Sequence, residues 1–335
     1  MTLNVGIIGL GVGEKHIDGF EKNEKCKVVS ICDQNPQKLR EVSNRNPSKK
    51  CFLNSEELIN DPKLDVISIA TYDNSHSKLI EKAVNNGKHV FVEKPLCTSR
   101  SEYETICNLL VRNPKVKLSS NLILRKTPRF IELRKKIKKG DLGNPYYIEG
   151  DYDYGRINKI IDGWRGEIPN YSVMHGGGIH LIDLISWLID KKVKEVFAYG
   201  TKIATEKSKF NSNDTIVALL KFEDGILAKI CANFPSVTPH FHRLLVYGTS
   251  GTFQQTHGSC IFMNSRDAEA LPEKIIDPYP ATQKGDLIPS FVNSILQSSN
   301  PAISKQEVCD VMAISLAIEE SIKTGSKIIV EYKNT

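Results

Sequence analysis

Three short stretches carry residue types and spacings that could do chemistry. In His175-Gly176-Gly177-Gly178-Ile179-His180-Leu181-Ile182-Asp183 an imidazole and a carboxylate stand three residues apart, on one face if a helix has begun by His180. An imidazole near a carboxylate can accept a proton while its charged form is stabilised. The three glycines before it permit close approach of backbone to a ligand. The second stretch, Gly9-Leu10-Gly11-Val12-Gly13-Glu14, directly follows an apolar run. Glycines at such a turn let the backbone approach a pyrophosphate, and the helix that follows offers amide donors and a positive dipole end. The third glycine comes one residue earlier than in G-x-G-x-x-G. Asp33 lies 20 residues after Gly13, at the end of the next apolar run. A carboxylate there would bond both adenosine ribose hydroxyls and repel a 2′-phosphate, favouring NAD over NADP, with Lys38 and Arg40 close enough to soften that preference. The third stretch is Glu93-Lys94-Pro95, where an ammonium near a forming alkoxide would lower the cost of removing its proton.

The elements that must hold these residues follow from pattern. Leu3–Ile8, Val28–Cys32, Val66–Ala70 and His89–Val92 are short runs rich in Val and Ile, too short for buried helices, and suit strands covered on both faces. Helical patterns at Lys15–Asn23, Pro36–Ser43, Ser55–Asn60 and His76–Asn86 separate them. This alternation predicts an α/β fold with a doubly wound parallel sheet, a Rossmann dinucleotide-binding domain over residues 1–122. The rhythm then changes. Ile216, Ala218, Leu220 and Phe222 alternate with other residues, Asp224-Gly225 interrupts, and Ile226, Ala228, Ile230 and Ala232 resume, the signature of a hairpin. With further strands at Tyr146–Tyr152, Val193–Tyr199, Leu244–Tyr247, Thr252–Gln255 and Lys327–Glu331, residues 123–335 read as an α/β domain with a large, mainly antiparallel open sheet. Its helices are expected at Thr127–Lys138, His180–Ile189 and Glu307–Thr324.

Composition narrows the classes. The 335 residues are 40% hydrophobic and 25% charged, which excludes collagen-like, disordered and low-complexity chains. The net charge of +6 is a mild excess, and the densest basic run, Arg134–Lys139, suits a solvated helix end, so no nucleic-acid partner is expected. The eight cysteines stand singly, with no CxxC and no zinc spacing, which suits free thiols in a cytoplasmic protein and no metal site. No apolar stretch reaches the length of a membrane span, and no secretory signal pattern is visible.

The order of these motifs resembles the Gfo/Idh/MocA family of sugar and polyol dehydrogenases. The residues that carry the likeness are the glycine turn ending in His16, Asp33, Ala70-Thr71 through His76, Gly87-Lys88-His89-Val90 leading to Glu93-Lys94-Pro95, Arg125 with Pro128, Gly140–Gly143, Trp164-Arg165 and Gly176–Asp183. The resemblance spans nearly the whole chain. It implies a bound nicotinamide cofactor, hydride exchange with a secondary hydroxyl or ketone of a sugar, nucleotide sugar or cyclic polyol, and a homodimer or homotetramer formed through the second domain's sheet. Lys94 would stabilise the alkoxide and His180 would take the hydroxyl proton. Gly9, Gly11, Val12, Gly13, Asp33, Thr71, His76, Glu93 and Lys94 would surround the cofactor. Asn121, Tyr152, Arg165, His175 and Asp183 are the expected substrate contacts, while His16 reads as structural. The family pattern D-x-G-x-H-x-x-D is broken, because Gly176 stands where its first Asp belongs; His175, Asp183, Tyr152, Tyr154 or Tyr171 would have to substitute. Two other activities fit the same cofactor domain: a non-catalytic NAD-binding sensor, and a glycosidase that uses transient oxidation.

Overall fold

A computed structural model describes residues 2–335. The strands are β1 (Leu3–Ile8), β2 (Cys26–Cys32), β3 (Lys50–Phe52), β4 (Val66–Ile69), β5 (His89–Val92), β6 (Leu118–Ser120), β7 (Pro145–Asp153), β8 (Val193–Thr201), β9 (Thr215–Phe222), β10 (Leu227–Asn233), β11 (Phe241–Gly248), β12 (Thr252–Gln255), β13 (Cys260–Met263), β14 (Glu273–Lys274) and β15 (Ile328–Ile329). The α-helices are α1 (Glu14–Glu21), α2 (Pro36–Arg45), α3 (Ser55–Ile59), α4 (His76–Asn85), α5 (Arg100–Arg112), α6 (Pro128–Lys139), α7 (Asn158–Ile161), α8 (Trp164–Glu167), α9 (Ile179–Ile189), α10 (Ile288–Leu296) and α11 (Lys305–Thr324).

The chain divides into two compact units: residues up to Ile123 with Thr282–Met312 and Tyr332–Thr335, and Leu124–Ala281 with Ala313–Glu331. The first holds a six-stranded sheet in the order β3-β2-β1-β4-β5-β6, every pair parallel. Every residue of β4 is buried, as strands sandwiched between helices must be, and this is why they read as continuous Val and Ile runs. Phe91 of β5 anchors the core against Phe20 of α1 and Phe291 of α10, with ring centroids 6.2 and 5.6 Å apart. That second contact explains why Thr282–Met312, assigned from sequence to the second domain, clusters with the first unit. The exposed pattern of this late segment says nothing about which core its Phe291 enters.

The second unit is built on a nine-stranded sheet in the order β14-β13-β12-β11-β7-β10-β9-β8-β15. Only the central pair β7–β10 is parallel, and the other neighbours are antiparallel. The Asp224-Gly225 turn joins β9 to β10 in a hairpin, with Gly225 at φ +91°. Helix α9 lies on the inner face of β7, and Gly150 makes room for it: a Cβ there would meet Ile185 Cδ1 at 3.2 Å.

Candidate active site

In the first unit the residues singled out in the sequence stand at one edge of one sheet. The glycine turn follows β1, Asp33 follows β2, Thr71 follows β4, Glu93 and Lys94 follow β5, and Asn121 follows β6. The carboxyl edge of an open parallel sheet is where such folds bind ligands. Gly9 has φ +86° and lies against β4, where a Cβ would fall 2.4 Å from the Ala70 carbonyl oxygen. Gly13 needs its missing side chain for a different reason: a Cβ would meet the Gly9 oxygen at 2.1 Å, which would push α1 off the turn. Gly11 faces open space, with no atom within 4 Å of a Cβ built on it, and Val12 beside it is exposed.

Asp33 ties this turn to β2. Its Oδ2 accepts from the Leu10 amide at 2.8 Å and its Oδ1 from the Asn35 amide at 2.9 Å. A carboxylate has about four acceptor positions, so the half-exposed group retains capacity for ribose hydroxyls. Lys38 is held by Glu14, at 3.1 Å, and Arg45 pairs with the same carboxylate. Burial alone would raise the Glu14 carboxyl, but these two cations hold it below the usual range.

Beneath Lys94 is a buried polar chain. Nδ1 of His16 contacts Ser68 Oγ at 2.9 Å and Nε2 faces Glu93 Oε1 at 3.3 Å. Asn121 Nδ2 donates to the same carboxylate oxygen at 2.7 Å and to the Lys284 carbonyl at 2.9 Å. Burial would raise the Glu93 carboxyl, yet the His16 hydrogen bond and the charges of Lys284, His16 and Lys94 hold it well below the carboxylate range. Glu93 is therefore an anion fixed beside the Lys94 ammonium. His16, read as structural, is the residue that positions it. Asn121, expected at the substrate, is 1% exposed and supports Glu93. His76 is fully buried; Nδ1 donates to the Pro95 carbonyl at 2.7 Å, and Nε2 lies 3.2 Å from the Thr71 carbonyl. It clamps the loop carrying Lys94 to the end of β4. Thr71 itself shares a hydrogen bond with Ser75 Oγ at 2.7 Å.

These residues fit a dinucleotide. Gly11 is an open cradle, the first turn of α1 has no side-chain cap, and Asn121 Oδ1 is a buried acceptor without a hydrogen-bond partner among the described residues.

In the second unit His180 sits in the first turn of α9, 5% exposed, its ring stacked on Tyr152 of β7 at 6.2 Å between centroids. Tyr152 is opposite His242 of β11 in the sheet register. Its ring lies 5.1 Å from that imidazole, 5.0 Å from His240 and 5.8 Å from Tyr154. Tyr279 Oη lies 2.6 Å from His242 Nδ1 and accepts from the His242 amide at 2.9 Å. Burial pushes the Tyr152 phenol up, so it is a protonated hydrogen-bond donor at neutral pH. His240, His242 and Tyr279 were missed in the sequence. The alternation His242, Leu244, Val246 was the available signal, since it puts the imidazole on the inward face with two core residues.

The glycine triplet differs from expectation. Met174–Gly178 forms a π-helical turn leading into α9, and all three glycines are buried. The space their side chains would take is filled by protein: Tyr171 at Gly176, Tyr152 and Phe234 at Gly177, Met174 and Ala232 at Gly178. The triplet serves aromatic packing around His180 rather than backbone approach to a ligand. Asp183 is paired with Arg125. It is wholly buried, and Arg125 grips its two oxygens through Nε at 3.1 and 3.0 Å and through a second nitrogen at 2.6 Å. His175 is buried with Nδ1 2.7 Å from Ser315 Oγ, and burial lowers its imidazole to about 4. Both residues brace the start of α9. Arg165 is half-buried and donates from Nε to Tyr171 Oη at 3.0 Å. Among the described residues no cluster of His, Cys, Asp and Glu could hold a metal ion, and no helix is long and apolar enough to cross a membrane.

Comparison with known proteins accords with this geometry. Residues 3–121 match the family model described as the oxidoreductase family with an NAD-binding Rossmann fold, and residues 130–254 match the Gfo/Idh/MocA C-terminal domain. The myo-inositol 2-dehydrogenase of Thermotoga maritima is 23% identical over 98% of this chain and 99% of its own length. The 1,5-anhydro-D-fructose reductase of Ensifer adhaerens is 23% identical over 97% and 98%. A crystal structure of scyllo-inositol dehydrogenase from Lactobacillus casei, with bound NAD(H) and scyllo-inositol, superposes with a TM-score of 0.82 at 21% identity, covering 98% of this chain and 99% of that one. With both parts of the chain matched by the same family and a dinucleotide cradle on the first sheet, this protein belongs to the Gfo/Idh/MocA family of NAD-dependent oxidoreductases.

Proposed function

We propose that this chain exchanges hydride with a secondary hydroxyl of a cyclic polyol, the class to which inositols belong. The observation that carries the reading is the setting of His180: an imidazole at a helix start, stacked on the Tyr152 phenol, with the His242 imidazole 6.4 Å from it. Such rings offer hydrogen-bonding edges to several ring hydroxyls and flat faces to the C–H surface between them. The relatives named for inositols and for an anhydro sugar support a cyclic substrate.

The nicotinamide, when bound, supplies the hydride acceptor. His180 takes the hydroxyl proton on a ring nitrogen, and Lys94 stabilises the developing alkoxide charge, with the Glu93 anion next to it in the chain. Tyr152 and His242 orient the neighbouring hydroxyls. The cradle at Gly9, Gly11, Val12 and Gly13 receives the pyrophosphate and Asp33 the adenosine ribose. The first unit is thus the cofactor domain and the second the substrate domain.

The protein acts in the cytoplasm as a homo-oligomer. Eight free cysteines support a reducing compartment, and exposed Tyr199, Val217, Leu219 and Leu227 on the outer face of the nine-stranded sheet support self-association. The test is the near-ultraviolet absorbance of reduced cofactor with NAD and a panel of inositols, anhydro sugars and nucleotide sugars. Turnover with an inositol is expected. Turnover restricted to nucleotide sugars, or none with cofactor bound, would remove the reading.

A further inference from the structure

A neutral imidazole is a base at only one nitrogen, so a proton acceptor needs a neighbour that decides which nitrogen keeps its hydrogen. For His180 the position to inspect is 176. Four residues make about one turn in α- and π-helical backbone alike, so side chains at 176 and 180 would share a face, their Cβ atoms about 5–6 Å apart. Position 176 has no side chain, but its place is filled. A Cβ on Gly176 would fall 1.8 Å from Tyr171 Oη and 2.7 Å from Tyr171 Cζ. The phenolic oxygen therefore stands where a residue-176 side chain would begin, on the face from which His180 projects. Arg165 donates to that oxygen at 3.0 Å while its guanidinium rests on Trp164, 4.4 Å from the ring centroid. Tyr171 is 4% exposed and walled by Trp164, Phe210 and Phe234, so its hydroxyl has little freedom to move.

We propose that Tyr171, steadied by Arg165, is the positioning residue for His180: its Oη accepts the hydrogen of one ring nitrogen and leaves the other to take the substrate's proton. A phenol oxygen has two lone pairs, one used by Arg165 and one left for the imidazole. Unlike a carboxylate, this acceptor is neutral and has a cation behind it, so it orients the ring without strongly raising its basicity. The rings against His180 are Tyr152 of β7 and His242 of β11; the Tyr171–Arg165 pair lies at position 176, one turn before it, and the Asp183–Arg125 pair one turn after it on α9.

The inference rests on His180 being the proton acceptor, and it is tested by nitrogen NMR titration of ring-labelled histidine alongside kinetics. In Tyr171→Phe the imidazolium loses an acceptor, so the His180 midpoint should fall by about half a unit or more and kcat by about tenfold to a hundredfold. NAD affinity should be unchanged. In Arg165→Gln the midpoint should rise, because a repelling cation is gone. A folded Tyr171→Phe protein with an unmoved His180 midpoint overturns the proposal even if kcat falls, since the phenol would then only pack. Should Tyr171→Phe not fold, an unmoved midpoint in Arg165→Gln does the same. If both midpoints move and no cyclic polyol is oxidised, the positioning role stands and the substrate assignment fails.

Discussion

At the scale of single residues the two units treat charge in opposite ways. Lys94 is given a fixed anion, Glu93, which is itself held by His16 and Asn121. In the proposed mechanism the ammonium acts on charge that develops only during reaction, so Lys94→Ala should lower kcat at least about 100-fold while changing NAD affinity less than about tenfold. Steady-state rates and a binding titration measure the two separately, and an equal loss in both would make Lys94 a cofactor ligand only. His175, by contrast, is kept neutral, its imidazole lowered from 6.5 to about 4 by burial. Below its unfolded value the unfolded chain binds a proton that the folded chain refuses. Its contribution to stability is therefore complete above pH 6.5 and is lost as pH falls towards 4. The shift corresponds to an upper limit of about 3 kcal/mol. Glu319, raised by burial and bonded to Ser172, is a second group whose protonation differs between folded and unfolded chains. Comparing denaturant midpoints of wild type and His175→Gln cancels that common term. The variant should lose less stability than wild type between pH 6.5 and 4, and parallel curves would show that His175 is not the group responsible.

Among the elements, the turn between β1 and α1 separates what folding requires of a glycine from what binding requires. A Cβ at Gly11 meets nothing, so Gly11→Ala should change stability by less than about 0.5 kcal/mol. Yet it puts a methyl group in the cradle proposed for the pyrophosphate, and NAD affinity should drop at least about tenfold. Gly13→Ala drives a Cβ to 2.1 Å from the Gly9 oxygen and should impair both. Thermal melts with and without NAD distinguish the two variants. This same turn was legible in the sequence because a strand, glycines and a helix are local patterns, and so was the β9–β10 hairpin, fixed by alternation around Asp224-Gly225. What could not be read depended on distant partners. Gly176–Gly178 looks like a ligand-binding loop until Tyr171, Tyr152 and Phe234 are seen filling it. Asp183 reads in the sequence only as a carboxylate one turn after His180, and nothing local shows that Arg125, 58 residues earlier, grips it. Helix α10 has a local helical signal, but only its packing through Phe291 onto Phe91 shows which core it completes.

For the molecule as a whole, the proposed self-association rests on the outer face of the nine-stranded sheet. Alternation puts Val217, Leu219 and Lys221 of β9 on that face, with Phe197 paired opposite Leu219 and Tyr199 opposite Val217. On the other side Lys229 is paired opposite Leu219. Leu219 is 55% exposed and Tyr199 70% exposed, a cost that covering by a second copy would remove. The neighbouring charges are already satisfied within the sheet: Asp151 is buried under Lys229 and Arg243. A partner would therefore meet apolar side chains beside a neutralised ion network rather than a bare charge, and association should depend little on salt. Leu219→Glu places a charge at the centre of this patch, where burial without a partner is expensive, and should weaken self-association about 100-fold or more. Ala268→Glu, on an exposed loop with the same change in charge, should leave it intact. Sedimentation equilibrium across a concentration series reads both variants. An oligomer that survives Leu219→Glu unchanged would assign assembly to a different surface.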